Sequence, residues 1–262
     1  MSIPHRFLFG TLAAATLVFA QPQLATAQTA PQGVKNIVLV HGAFADGASY
    51  NKIIPLLEAK GYHVTAVQNP LSSLTDDVAA TKRAIALQDG PVLLVGHSWG
   101  GAVISEAGND PKVAGLVFLA AWALDANQAA GDLGKGLPPT PGAAEFRPDA
   151  AGFVSMTRKG VDEDFAPDLK PAERQLIYVT QGPLSLSGLG QKATAAAWKT
   201  RPSFYVVASE DRMIAPELQR QLAKQLGATT LTLKSSHVPM LSHPTEVASF
   251  IVEAAQKSAV KK

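Results

Sequence analysis

Pro91-Val92-Leu93-Leu94-Val95-Gly96-His97-Ser98-Trp99-Gly100-Gly101 joins a short branched, apolar run to a turn of small residues. The first five residues predict a buried strand, and the small residues that follow predict a helix reaching about Asn109. Between them lies G-x-S-x-G, and a strand that turns sharply into a helix presents the central serine at the sheet's carboxyl edge. Glycines two before and two after Ser98 are needed because a Cβ there would collide with neighbouring backbone. Ser98 is therefore the candidate nucleophile. The helix start beneath it favours developing negative charge.

Strands alternate with helices to either side, as in a mostly parallel sheet covered on both faces. Upstream, Asn36–Val40 predicts a strand, 50–59 a helix closed by Gly61, His63–Val67 a strand and 76–87 a helix with Asp76 and Asp77 in its first turn. Downstream, 113–120 predicts another buried strand. The rhythm then breaks: residues 123–196 are rich in Gly and Pro and show no clear strand. So long an irregular stretch inside a compact domain is expected to form a lid or cap. Ser203–Ala208, 216–226, 229–234 and 245–255 restore the strand–helix order, with His243-Pro244 entering the last helix. The expected division is residues 28–122 and 197–262 for the core and 123–196 for the inserted cap.

A serine hydroxyl needs a base to take its proton. His237 follows the last predicted strand, where a loop could bring an imidazole to Ser98, and is preferred to His243 at a helix entry. His97 adjoins Ser98 and should point away from it. For the orienting carboxylate, Asp211 lies just past Ser203–Ala208 and gives the order Ser, Asp, His; Glu210 and Asp125 are the competitors. An oxyanion needs fixed N–H donors. Trp99 is expected to supply one, and Ala43, favoured over Phe44 in the loop His41-Gly42-Ala43-Phe44, the other. Phe44 and Trp122 are expected at the mouth as substrate-binding apolar surface, with cap residues such as Phe153.

Composition narrows the alternatives. The chain of 262 residues has 23 basic and 21 acidic side chains and no cysteine, which excludes a thiol nucleophile, disulfides and a Cys-based zinc site. No metal site is expected, since the histidines lack ligand spacing such as H-E-x-x-H. His5 and Arg6 precede the apolar run 7–20, and Ala25-Thr26-Ala27 follows, the layout of a secretory signal. Residues 1–27 are thus expected to be cleaved, giving an exported protein, periplasmic or secreted. Only Arg6 is lost from the charge balance, leaving +1, with no electrostatic pull toward nucleic acid or a membrane surface.

From Asn36 to about Ala255 the chain resembles the α/β-hydrolases. It is most similar to the branch of plant methylesterases, hydroxynitrile lyases and related bacterial esterases. The likeness is carried by Val38-Leu39-Val40-His41-Gly42-Ala43-Phe44, Pro55-Leu56-Leu57-Glu58-Ala59-Lys60-Gly61-Tyr62-His63-Val64, Gly96–Gly101, Glu210-Asp211-Arg212 and Ser235-Ser236-His237. It implies the α/β-hydrolase fold, a Ser98–His237–Asp211 triad, oxyanion donors at Ala43 and Trp99, and no metal or organic cofactor. Lyases of that branch carry a lysine after the histidine and a threonine after the first-strand histidine; here these are Val238 and Gly42. Dehalogenases and epoxide hydrolases of the fold place Asp at the position of Ser98. The expected partner is a small-molecule ester. Lactone opening, perhydrolysis, C–C lyase chemistry or ligand binding without catalysis are the alternatives.

Overall fold

The computed structural model describes Met1 and residues 33–258; the expected signal, Met1 apart, lies outside the described residues. Six strands form one parallel sheet in the order β2-β1-β3-β4-β8-β9. They are β1 (Asn36–Val40), β2 (His63–Val67), β3 (Val92–His97), β4 (Val113–Leu119), β8 (Ser203–Ala208) and β9 (Thr229–Leu233). Ile37 to Val40, Val92 to Val95 and Leu116 to Leu119 are fully buried, as strands covered on both faces must be. The covering helices are α1 (Ile54–Glu58), α2 (Leu74–Ala86), α3 (Trp99–Ala107), α5 (Pro216–Gln225) and α6 (Pro244–Lys257); α4 (Pro171–Thr180) belongs to the cap. The expected helix over 50–59 is shorter than its pattern. A 3-10 turn at Gly47–Tyr50 precedes α1, and Asp46 caps that turn through its side chain.

Parallel pairing brings the carboxyl ends of the strands to one edge. Val40 pairs with Gly96, and His97 with Leu119, so the loops after β1, β3 and β4 emerge side by side. Those after β8 and β9 emerge at the same edge, because Ala208 pairs with Leu233. Ligands bind at this edge of open α/β sheets.

Between β4 and β8 the chain builds the cap. Contrary to the strandless stretch expected there, it holds a three-stranded antiparallel sheet of β5 (Phe146–Pro148), β6 (Phe153–Met156) and β7 (Leu184–Ser185). Strands of two to four residues are too short to show an alternating pattern. A ten-residue helix, α4 (Pro171–Thr180), completes the cap; Pro171 stands in its first turn and Glu173 accepts from Lys170 N–H.

The sharp turn from β3 into α3 needs both of its glycines. A Cβ on Gly96 would stand 2.5 Å from Gly100 O, and one on Gly100 would stand 2.1 Å from Val40 O. Trp99, at the head of α3, is held from α2. Asp77 is fully buried, accepts Trp99 Nε1–H at 2.6 Å on one oxygen and Leu71 N–H at 2.8 Å on the other. Burial raises its carboxyl from 3.8 to about 6, against the opposing pull of those two donors. A folded pKa above the unfolded one means that the native state binds the proton more tightly. Stability from this group is therefore gained as pH falls through 6 and lost as pH rises. Asp77→Asn is expected to remove up to about 3 kcal/mol of the stability difference between pH 4 and pH 7. Urea unfolding at both pH values measures this; an unchanged difference would show that Asp77 does not titrate as its burial requires.

Candidate active site

Ser98 adopts φ 52° and ψ −119°, a strained conformation for a residue with a side chain. It is held by its neighbours: Ser98 N–H donates to Leu119 O at 3.2 Å, and its carbonyl accepts from Gly101 N–H and Trp122 N–H. Strain maintained in this way is a mark of functional positions.

Ser98 and His237 line one small cavity of about 40 Å³ under the cap. His237 Nδ1–H donates to Asp211 Oδ2 at 2.7 Å, and both side chains are buried. Pairing Nδ1 with a carboxylate leaves Nε2 as the basic nitrogen. Asp211 is further fixed: Met213 N–H and Ile214 N–H donate to Oδ1 at 2.7 and 3.0 Å, and Gln219 Nε2 to Oδ2 at 2.7 Å. Four donors offset the cost of burying that charge. The competitors lie elsewhere. Asp125 pairs with Lys199, exposed Glu210 lies 3.6 Å from Lys234, and half-buried His243 meets Lys234 O at the entrance to α6.

Ala43 and Trp99 also line the cavity, and neither backbone N–H has a hydrogen-bond partner among the described residues. Trp99 begins α3, so its N–H is one of the unpaired donors of a helix start. The loop bearing Ala43 is set by His41. Its Nε2 accepts from Asn69 N–H at 2.9 Å, which makes Nδ1 the donor to Gly42 O at 2.8 Å. Burial lowers the pKa of this ring and keeps it neutral, as that pattern requires.

Phe44 and Trp122 form walls of the cavity, Trp122 edge-on to Trp99. From the cap, the walls are Phe146, Val154, Phe165, Leu184 and Leu189. Phe153, expected there, points to the opposite face of β6 from Val154. Phe146 meets the Phe44 ring at 5.3 Å. Among the described residues no group of three or more His, Asp or Glu could hold a metal ion.

Three contacts around His237 are not readable from motif spacing. The His97 ring lies 4.8 Å from that of His237, its Nε2–H donates to His237 O at 2.8 Å, and burial drives its pKa well down. Phe165 of the cap stands edge-on to the His237 ring at 5.2 Å. The residues on either side of it grip both loops: Asp164 pairs with Arg212 at 2.6 Å, and Asp168 accepts Ser236 N–H at 2.8 Å and Ser236 Oγ–H at 2.6 Å. One cap segment thus holds the neighbours of Asp211 and of His237.

Known proteins share this architecture. Residues 37–250 match the Alpha/beta hydrolase family. A pyrethroid hydrolase of Sphingobium wenxiniae is 30% identical, over 86% of this chain and 89% of its own. Methylesterase 1 of Arabidopsis thaliana is 27% identical, over 85% and 97%. The crystal structure of a pyrethroid hydrolase from Sphingobium faniae superposes with a TM-score of 0.73 at 27% identity, covering 85% of this chain and 97% of that one. With the match running from β1 through the elbow and the buried His–Asp pair into α6, the chain belongs to the alpha/beta hydrolase family.

Proposed function

We propose that the protein is an exported carboxylic-ester hydrolase acting through an acyl-enzyme at Ser98. The observation that carries this reading is the convergence on one cavity of Ser98, the buried His237–Asp211 pair and two unpartnered backbone N–H groups. Ser98 Oγ attacks the ester carbonyl while His237 Nε2 takes its proton, and the N–H groups of Ala43 and Trp99 hold the oxyanion. On collapse the C–O bond to the alcohol breaks, and His237 returns the proton to the departing oxygen. Water, deprotonated by the same nitrogen, then adds to the acyl carbon and frees Ser98 and the acid. Asp211 holds the imidazole throughout. The apolar walls suit an ester with an apolar acyl group, and relatives named as hydrolases and methylesterases support the class. Export rests on the layout of residues 1–27.

Ser98→Ala and His237→Ala are each expected to lower kcat on p-nitrophenyl esters by about four orders of magnitude, with the far-UV dichroism unchanged. A folded Ser98→Ala protein with full activity would remove the serine mechanism. Asp168→Asn leaves Ser236 one acceptor short. It is expected to lower kcat about tenfold while KM stays within about twofold, because the base is misplaced but the cavity is intact. A rise in KM alone would show that Asp168 serves binding instead. Expression of the full chain in a bacterial host should yield a mature protein beginning at Gln28 by N-terminal sequencing; retention of Met1 on the exported protein would contradict cleavage.

A further inference from the structure

Asp77 is fully buried on α2, and no cation pairs with it among the described residues. A carboxylate so placed is costly unless hydrogen-bond donors satisfy it. Each of its oxygens takes one. Oδ2 accepts Trp99 Nε1–H at 2.6 Å, and Oδ1 accepts Leu71 N–H at 2.8 Å. An ionised carboxylate accepts at both oxygens, so it matches two N–H groups; an amide in its place would offer one oxygen and turn its own –NH2 toward the other donor.

The two oxygens lead to the two unpartnered N–H groups of the catalytic cavity. Through Oδ2, Asp77 fixes the indole of Trp99, whose backbone N–H is one of them. Through Oδ1 it fixes Leu71, which has φ 57°, a left-handed conformation that a residue with a side chain adopts only under constraint. Two residues earlier, Asn69 donates its N–H to His41 Nε2 and its Nδ2–H to His41 O, both at 2.9 Å. His41 Nδ1–H in turn donates to Gly42 O, in the loop that carries Ala43. Buried hydrogen bonds therefore connect one carboxylate to both donors, although these lie on separate loops.

We propose that Asp77 is a positioning residue for ester hydrolysis, bracing the Trp99 N–H with one oxygen and the Ala43 N–H with the other. The inference rests on the ester-hydrolase reading. Asp77 touches neither Ser98 nor the cavity; it keeps two N–H groups from separate loops in register. Such donors stabilise an oxyanion because they are fixed before the charge develops, and a small misplacement costs much of the effect. The uncharged ground-state ester depends on them less, so Asp77 bears on kcat rather than on KM.

The test compares the parent with Asp77→Asn, Trp99→Phe and the double variant, each checked for folding by thermal melting. Rates on p-nitrophenyl butyrate are read at pH 8, above the value of about 6 to which burial raises the Asp77 carboxyl. Asp77→Asn is expected to lower kcat about tenfold while KM stays within about twofold. In the Trp99→Phe background only Leu71 N–H still needs an acceptor, so the same substitution should change kcat less than about twofold. Butylboronic acid adds the Ser98 oxygen to boron and leaves a boron-bound oxygen where the oxyanion forms, which reports the donors without turnover. Its Ki is expected to rise about tenfold in Asp77→Asn. Unchanged kcat and Ki in the folded variant overturn the proposal. So does an equal loss in the Trp99→Phe background, the mark of general loosening. A rise in KM alone overturns it too, by placing the effect at the cap, where Ser185 N–H donates to Leu71 O. A rise in kcat, expected if the carboxylate charge opposed the oxyanion, is equally fatal. If Asp77→Asn does not fold, Trp99→Phe decides: kcat and Ki each worsened at least about fivefold support the proposal, and both unchanged overturn it. A folded parent that neither cleaves the ester nor binds the boronic acid refutes the ester-hydrolase reading, and this role with it; a parent that does both leaves the variants to decide.

Discussion

At Val40 and Gly100 the backbones of β1 and of the first turn of α3 pass so closely that a Cβ on Gly100 would stand 2.1 Å from Val40 O. Neither chain can yield: β1 is fixed by parallel pairing on both sides, and α3 begins directly at the end of β3. The approach forces Ser98 into its strained φ and places its side chain above the sheet. It also fixes the N–H of Trp99 beside the loop that carries Ala43. One steric condition thus sets both the proposed nucleophile and the proposed anion-binding donors. The hydrogen bonds around Ser98 then hold a conformation that costs about 1–3 kcal/mol in isolation.

The buried His237–Asp211 pair is positioned differently, by buried polar groups rather than by close backbone packing. Asp211 is satisfied by four donors, three of them from its own loop and from Gln219 of α5. His237 is held at its side chain by Asp211, at its carbonyl by His97 and at its ring face by Phe165. Leaving one such group unpaired in a buried site costs about 1–3 kcal/mol, so the arrangement tolerates little displacement. The cap is part of this framework: Asp164 and Asp168 tie it to Arg212 and Ser236. The segment 164–168 cannot lift away without breaking contacts to the loops that carry Asp211 and His237. Helix α4, with no fully buried residue, is the less constrained part of the cap.

These two kinds of constraint explain what was legible in the sequence. The elbow is local: glycines, strand and helix all lie within residues 92–107, so Gly96 to Gly101 can be read without knowing the fold. The parallel strands are legible as well, because burial on both faces requires continuous apolar runs such as Asn36–Val40 and Ser203–Ala208. The cap strands are not, since β5 and β7 have three and two residues and lie among prolines and glycines. Contacts across the chain leave no local trace either. His97 meets His237 at a separation of 140 residues, and Asp168 meets Ser236 at 68. Phe153 and Phe146 are equally apolar in sequence; only the pleat of the cap sheet decides which one faces the serine.

Phe44 shows how the two constraints meet. It follows Ala43 in the loop set by His41, and it has φ 58°, a backbone state that costs a residue with a side chain about 1–2 kcal/mol. Its ring is buried, packs on Phe146 of the cap and walls the cavity that holds Ser98 and His237. Burying a phenylalanine side chain contributes about 1.5–3 kcal/mol, enough to offset that strain. The same residue therefore joins a loop whose shape is dictated by the sheet edge to a cap whose shape is not. A change in the cap at Phe146 reaches the loop that carries Ala43 through one aromatic contact, without any alteration of the sheet.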